Sequence, residues 1–367
     1  MPVNTLPGWG DGVARLRVGV LFGGQSGEHD VSLMSGLSII EGLKDRYEVI
    51  PIGITRSGQF LPGVDVTRAL AGGGVDAVGG ERALEPLQSG AVIGPLDVVI
   101  PALHGPMGED GTVQGLLELA GVPFVGSGVL GSAVAMDKAV MKEVFASHGL
   151  PVGAWRLVTE SRWREDPDGV ADEVAALGYP VFVKPSNMGS SVGISRVDDA
   201  SGLATAIDEA LAHDRRVVVE KGMVARELEC AVLGNDHPET SVVGEIVPHA
   251  SFYDYRAKYL EGGADLIVPA NIPQDVETSL RDYARQAFTA VDAAGLARVD
   301  FFLTGDGRLV LNEVNTFPGF TPFSMYPKLW AASGLSYEDL LDRLIALALE
   351  RAETMRRKRQ APRRNLP

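Results

Sequence analysis

Residues 297–319 read ARVDFFLTGDGRLVLNEVNTFPG, and the fold turns on how this stretch doubles back on itself. Asp306-Gly307 lies between two apolar runs. That is the composition of a two-residue hairpin turn, which needs positive φ at both central residues. Such a loop pairs Gly305 with Arg308, and counting outward sets Asp300 opposite Glu313 and Arg298 opposite Asn315. Directly opposed residues share a face with Cβ atoms about 4.5–5.5 Å apart, so the two carboxylates repel unless a cation lies between them. Oxygen donors from Asp, Glu and Asn, with no His or Cys near, suit Mg²⁺, which ordinarily completes its shell with substrate phosphates. Val299, Phe301, Val310 and Val314 form the opposite, buried face. Register decides the outcome: a loop one residue longer or shorter would send Asp300 and Glu313 to opposite faces. An edge hairpin with merely solvated charges is the competing interpretation.

The chain has 367 residues, which fits two or three domains, and 45% of them are hydrophobic, as in ordinary globular proteins. A formal charge of −15 argues against nucleic acid or an anionic membrane as partner, and means that an anionic nucleotide must be drawn in by local Lys and Arg. Cys230 is the only cysteine, and its apolar, strand-like surroundings predict a buried, inert thiol. No apolar run is long enough to span a bilayer and no signal-peptide pattern opens the chain, so a cytoplasmic protein is expected.

Residues 16–22 (LRVGVLF) read as a buried strand, GGQSGEHDVS as a glycine loop and 31–43 as a helix, the start of an α/β unit. The glycines lack the G-x-G-x-x-G spacing of a dinucleotide site. Residues 47–54, 96–103 and 122–128 are further strands, 112–120 a helix, and the Gly-rich 72–80 a surface excursion. Glu28 and His104 each follow the carboxyl end of a strand, where ligands bind in open α/β sheets. Dipole complementation by Glu28 and a structural His104 are the alternatives.

Residues 132–148 predict one helix carrying Lys138, and 168–177 another. Strand 181–184 ends at Lys184 and runs through GSSVG into a second strand. That loop presents several N–H groups beside a lysine, a phosphate cradle without the order of a P-loop. Strand 216–220 stops at Glu220-Lys221-Gly222-Met223, and strand 226–233 follows. This is compatible with an adenine site in which Lys221 reaches the base and Glu227 the ribose. Residues 251–268, aromatic, charged and then Gly-rich, read as a lid. A helix is expected over 273–294. Ser336–Asp339 resembles a capping box opening a helix whose apolar face is Leu340, Leu341, Leu344, Ile345 and Leu347. The residues from Arg356 on form a basic, frayed end.

A lysine-plus-glycine phosphate loop, a Glu-Lys hinge and an acidic metal hairpin thus follow one another. This order resembles the ATP-grasp superfamily of carboxylate–amine ligases, and within it the D-alanine–D-alanine ligase family. GGQSGEHDVSLMS (23–35), ALHGPMGEDGTVQG (102–115), KPSNMGSSVG (184–193), YDYRAKY (253–259) and RVDFF…LNEVNTFPGFT (298–321) are similar to that family's motifs. The resemblance runs from about Arg17 to the final helix. It implies an ATP-grasp fold: an N-terminal open parallel α/β domain (1–130), then two α+β domains (131–222 and 223–355) that clamp ATP, and a basic tail (356–367). It implies a reaction in which one D-alanine carboxylate becomes an acylphosphate and the amine of a second D-alanine displaces phosphate.

The resemblance also implies roles. Glu28 would hold the first D-alanine ammonium, and Ser190 and Tyr259 would join it in a hydrogen-bonded chain that closes the lid. Lys138, Lys184 and Lys258 would neutralise phosphates. Lys221 and Met223 would meet the adenine, with Glu220 and Glu227 at base and ribose. Ser190, Ser191, Phe302 and Asn312 belong to the same nucleotide site. Asp300, Glu313 and Asn315 would hold two divalent ions, Mg²⁺ or Mn²⁺. Arg298 and the N–H of Gly319 would stabilise the oxyanion, His104 would lie near the first substrate's carboxylate, and Ser324 and Met325 would receive the second's. ATP and D-alanine are the implied substrates, and a homodimer through the first domain the implied assembly. Tyr259 favours an amine acceptor over D-lactate, because depsipeptide-forming relatives lack it. Phe317 departs from the family, where Ser is frequent. A small-molecule kinase on the same scaffold would need no second pocket at Ser324, and a nucleotide-binding regulatory module would need no metal carboxylates.

Overall fold

A computed structural model describes residues 15–78, 95–189, 192–249, 263–321 and 324–360, which form three sheets. The first contains β1 (Arg17–Gly23), β2 (Glu48–Ile54), β3 (Phe60–Pro62) and β4 (Val98–Pro101), in the order β3-β2-β1-β4. β1 is buried along all but its first residue, as a continuous apolar run in a parallel sheet should be. β2 and β4 flank it in parallel, and β3 adds an antiparallel edge to a sheet that was expected to be parallel. The chain switches sides between β1 and β4. Glu28 and His104 follow those two carboxyl ends and so meet at the crevice.

The second sheet, β5 (Trp155–Thr159), β6 (Val181–Pro185), β7 (Ser195–Val197) and β8 (Arg216–Lys221), is antiparallel in the order β5-β8-β6-β7. It has its own core of Val158, Val174, Val183, Ile207 and Val219. The third comprises β9 (Ala225–Gly234), β10 (Glu239–Pro248), β11 (Ala264–Ile267), β12 (Gly295–Thr304) and β13 (Leu309–Asn315), ordered β11-β10-β9-β12-β13. The helix Gln274–Ala290 covers one of its faces. Leu280, Ala284, Ala287 and Phe288 recur at helical spacing and pack on Cys230, Val232, Val299 and Phe301. The first and last parts of the chain share a core: Val18, Phe22 and Leu33 belong to the same cluster as Leu296, Tyr326, Leu341 and Ile345. The helix Tyr337–Gln360 supplies the last two, and its start is capped by Ser336 Oγ, which accepts the Asp339 N–H at 3.2 Å.

The hairpin reaches its expected pairing by an unexpected route. Its loop is one residue longer: the Thr304 N–H donates to the Arg308 carbonyl at 3.0 Å, and Gly307 takes a left-handed φ of 83°. Alone, that change would put the two carboxylates on opposite faces. A β-bulge reverses it, because Asn312 and Glu313 together span the step that β12 takes in one residue, so Asp300 opposes Glu313 and Arg298 opposes Asn315. Between bulge and loop the faces are swapped relative to the sequence reading. Leu311, not Val310, joins Val314 on the buried side.

Other expectations change as well. Residues 132–148 form two helices, Val129–Met136 and Lys138–Ser147, because Asp137 is extended and accepts the N–H groups of Ala139 and Val140 as a cap. The strand expected over 122–128 is a single bridge from Phe124 to Val99. Within 72–80, Gly72, Gly73, Asp76 and Ala77 are exposed as expected while Gly74 and Val75 turn inward and are buried, and residues 79–80 lie outside the described residues. Of the lid stretch, 251–262 is outside the described residues, and Ala264–Ile267 is an edge strand on β10. The basic end continues the last helix through Gln360, with Glu353 bonded to Arg356 and Arg357. The helix Leu203–Leu211 is a further element, and its Leu203, Ala206, Ile207 and Ala210 carry the helical period. No helix among the described residues is long and apolar enough to cross a membrane.

Candidate active site

The pleat of the third sheet sends every second residue to the face opposite the helix Gln274–Ala290. Cross-strand pairing then fixes rows on that face: Glu227–Phe302–Val310, Glu229–Asp300–Glu313 and Ala231–Arg298–Asn315. The second sheet's Lys184 and Glu220 and the first sheet's Glu28 and His104 border the same cleft, whose volume is about 630 Å³. Lys138, Lys221, Met223, Asn312, Gly319, Ser324 and Met325 also line it. Ser190, Ser191, Lys258 and Tyr259 lie outside the described residues.

Arg298 is held by two acids. Its Nε and Nη2 donate to Asp300 Oδ1 and Oδ2 at 2.8 and 2.7 Å, and Glu229 Oε2 lies 3.1 Å from Nε. Burial opposes the charge, but Asp300 and then Glu229 outweigh it and raise the guanidinium's pKa well above its usual value. Asn315 Nδ2 donates to Asp300 Oδ2 at 3.0 Å. An ionised carboxylate is acceptor-only, the kind of oxygen donor that a hard divalent cation takes. No group of three or more His, Cys, Asp or Glu with metal-site geometry occurs among the described residues. Two facing carboxylates and one amide remain a hard-oxygen set that fits an ion sharing its shell with phosphates.

On the opposite wall, Lys184 Nζ donates to Glu220 Oε2 at 2.8 Å, while Lys142 Nζ lies 3.0 Å from Glu220 Oε1. Burial alone would raise the Glu220 pKa, but the two lysines reverse this and hold it at about 2. Lys138, the first residue of its helix, donates from Nζ to the Met188 carbonyl at 2.6 Å and so braces the glycine loop.

Glu28 stands at the N-terminus of the helix His29–Leu43, yet its side chain does not cap that helix. The carboxylate is buried between two glycine turns. A Cβ on Gly105 would come within 2.5 Å of Glu28 Oε2, and one on Gly189 within 2.8 Å. Glu109, which the sequence reading passed over, accepts the Gly105 N–H at 2.7 Å. Burial first, and then the Glu28 charge, push its pKa well above the ordinary carboxylate range. His104 Nε2 lies 2.9 Å from Ser35 Oγ, and burial, with a smaller contribution from Arg298, lowers its pKa to about 4 against a bond to the Phe317 backbone. Phe317 packs its ring 6.3 Å from His104 and 5.8 Å from Phe320, and so joins the end of the acidic hairpin to the first sheet's loop. Ser324 Oγ accepts the Thr321 N–H at 2.9 Å at the start of the helix Met325–Ala332.

Glu109, Lys142 and Glu229 are the additions to the sequence reading. Each is an ionisable residue in an element that already carried a nominated residue. Only the burial of its charge marks it out. Cys230 is buried as expected, and burial pushes its thiol up to about 12.

Two family profiles match the chain: the D-ala D-ala ligase N-terminus over residues 17–127 and the D-ala D-ala ligase C-terminus over 144–346. A D-alanine–D-alanine ligase of Pseudarthrobacter chlorophenolicus is 51% identical over 365 residues, covering 93% of this chain and 96% of that protein. One of Deinococcus radiodurans is 52% identical over 338 residues, covering 91% and 98%. Among solved structures, the D-alanine–D-alanine ligase of Coxiella burnetii superposes with a TM-score of 0.81 at 33% identity, covering 95% of this chain and 98% of that one. The VanG D-Ala:D-Ser ligase of Enterococcus faecalis also gives a TM-score of 0.81, at 36% identity, covering 91% and 99%.

Proposed function

The chain belongs to the D-alanine–D-alanine ligase family, and from that membership we infer that it uses ATP to join two D-alanine molecules, a step of peptidoglycan precursor synthesis. Its fold is that of the ATP-grasp enzymes. The observation that carries the reading at residue level is the cleft itself. Every nominated residue among the described ones lines it, with lysines on one wall and the Asp300–Glu313 pair on the other.

In this reading the Glu28 carboxylate binds the first D-alanine ammonium, and His104, neutral and fixed by Ser35, lies beside that substrate's carboxylate. Lys138, Lys184 and Lys258 counter the phosphates. Glu220, Lys221, Met223, Glu227 and Phe302 form the adenosine end, with Ser190, Ser191 and Asn312 toward the phosphates. Asp300, Glu313 and Asn315 are the residues to hold two Mg²⁺ or Mn²⁺ ions, whose chemistry is neutralisation of the transferring phosphoryl group. Arg298, clamped on one edge by Asp300 and Glu229, and the Gly319 N–H stabilise the charge that develops when an amine attacks the acyl carbon. Ser324 and Met325, at a helix start, receive the second substrate's carboxylate. Tyr259 would complete the chain from Glu28 through Ser190 and keep water from the acylphosphate.

The division into residues 1–130, 131–222 and 223–355 is proposed with one amendment: the final helix is built into the first sheet's core. A cytoplasmic location follows the family's bacterial relatives and substrates. A homodimer through the first domain is favoured by Leu119 and Leu130, 91% and 61% exposed on the adjacent helices Thr112–Ala120 and Val129–Met136.

Purified protein given ATP, Mg²⁺ and D-alanine should release phosphate and D-alanyl-D-alanine in equal amounts. Phosphate without dipeptide would instead mark a kinase, and neither product a regulatory module.

A further inference from the structure

Lys142 sits one helical turn after Lys138, and its side chain is only 4% exposed. It does not line the cleft, whereas Glu220 and Lys184, each 13% exposed, do. One carboxylate is thus shared by two ammonium groups, one behind it and one in front of it. Lys142 has few other attachments: its Nζ reaches the Asn312 carbonyl only at 3.5 Å. A buried carboxylate stripped of its last counter-charge is strongly disfavoured. With Lys142 present, Lys184 can leave Glu220 for an incoming polyphosphate and Glu220 stays paired. Without Lys142, the same movement would strand the Glu220 charge.

We propose that Lys142 is a positioning residue, a standing counter-ion for Glu220 that releases Lys184 to the nucleotide phosphates. This deepens the site reading above and rests on its assignment of Lys184 to phosphate. The anionic ligand takes over as Lys184's partner. The Lys142–Glu220 pair remains neutral behind it, and no bond other than hydrogen bonds changes.

Titration calorimetry on the full chain with ADP, and with adenosine as the phosphate-free probe, separates the possibilities. The quantity read is the ratio of the two affinities, which cancels any adenine contribution of Glu220. Lys142→Met should lower that ratio about 10–100-fold, the worth of one charge-assisted hydrogen bond. Lys142→Arg should largely restore it. Adding Glu220→Gln to Lys142→Met should also restore it, since the neutral amide no longer holds Lys184. In steady state, Lys142→Met should raise KM for ATP more than it lowers kcat. Equal loss of ADP and adenosine binding in Lys142→Met, or no recovery in the double variant, would overturn the counter-ion role. A Lys184→Met protein whose ratio matched wild type would overturn the phosphate assignment on which this inference stands.

Discussion

His104 gives the most quantitative test, because its burial has a defined thermodynamic consequence. The imidazole is 4% exposed and its pKa falls from 6.5 to about 4. The folded protein therefore binds fewer protons than the unfolded chain between those two values. Stability from the neutral ring is fully present above pH 6.5 and is lost as pH falls toward 4. Moving the pKa from 6.5 to about 4 is worth about 3 kcal/mol at most, of which about 1 kcal/mol should already be gone at pH 5.5. Carboxylates also titrate in this range, so the comparison needs a reference. His104→Gln keeps a polar partner for Ser35 Oγ and removes the ionisation. Urea unfolding at pH 7.5 and 5.5 should show a wild-type loss exceeding that of His104→Gln by about 1 kcal/mol. Equal losses would mean that the ring titrates normally and that its site is open to water. The kinetic corollary is that KM for D-alanine shows no His104-dependent inflection near pH 6.5.

Other expectations follow from the same geometry. Glu313→Ala should abolish turnover at ordinary Mg²⁺, and full activity there would remove Glu313 from the metal set. Gly307→Val forces a β-branched residue into a φ of 83° and should cost about 1–2 kcal/mol, read as a shift in the urea midpoint. Leu341→Ala, at a fully buried position in the core joining the first sheet to the last helix, should cost about 3 kcal/mol in the same assay. Tyr259→Phe should lower selectivity for D-alanine over D-lactate as acceptor, measured as the ratio of dipeptide to depsipeptide, and unchanged selectivity would free Tyr259 of that role.

The sequence alone determined the elements whose chemistry is local. Buried parallel strands announce themselves as unbroken apolar runs, so β1 and β4 were legible, and with them the places of Glu28 and His104. The Lys184 loop and the Glu220-Lys221 strand end were legible because strand, turn and charge lie within a few residues. Tertiary structure alone decided three things. It set the hairpin register, where a longer loop and a bulge offset each other. Beside the bulge, the Leu311 N–H donates to the Pro151 carbonyl at 2.6 Å and Val152 bridges to Leu311, contacts from far along the chain that no local pattern records. It broke the 132–148 segment at Asp137, whose carboxylate also meets Arg216 and Ser186 from the second sheet. It also buried Lys142 and Glu229 and half-buried Glu109, whose polarity reads as surface in one dimension. A charge becomes informative only when other elements take away its water, and that depends on contacts made across the whole chain.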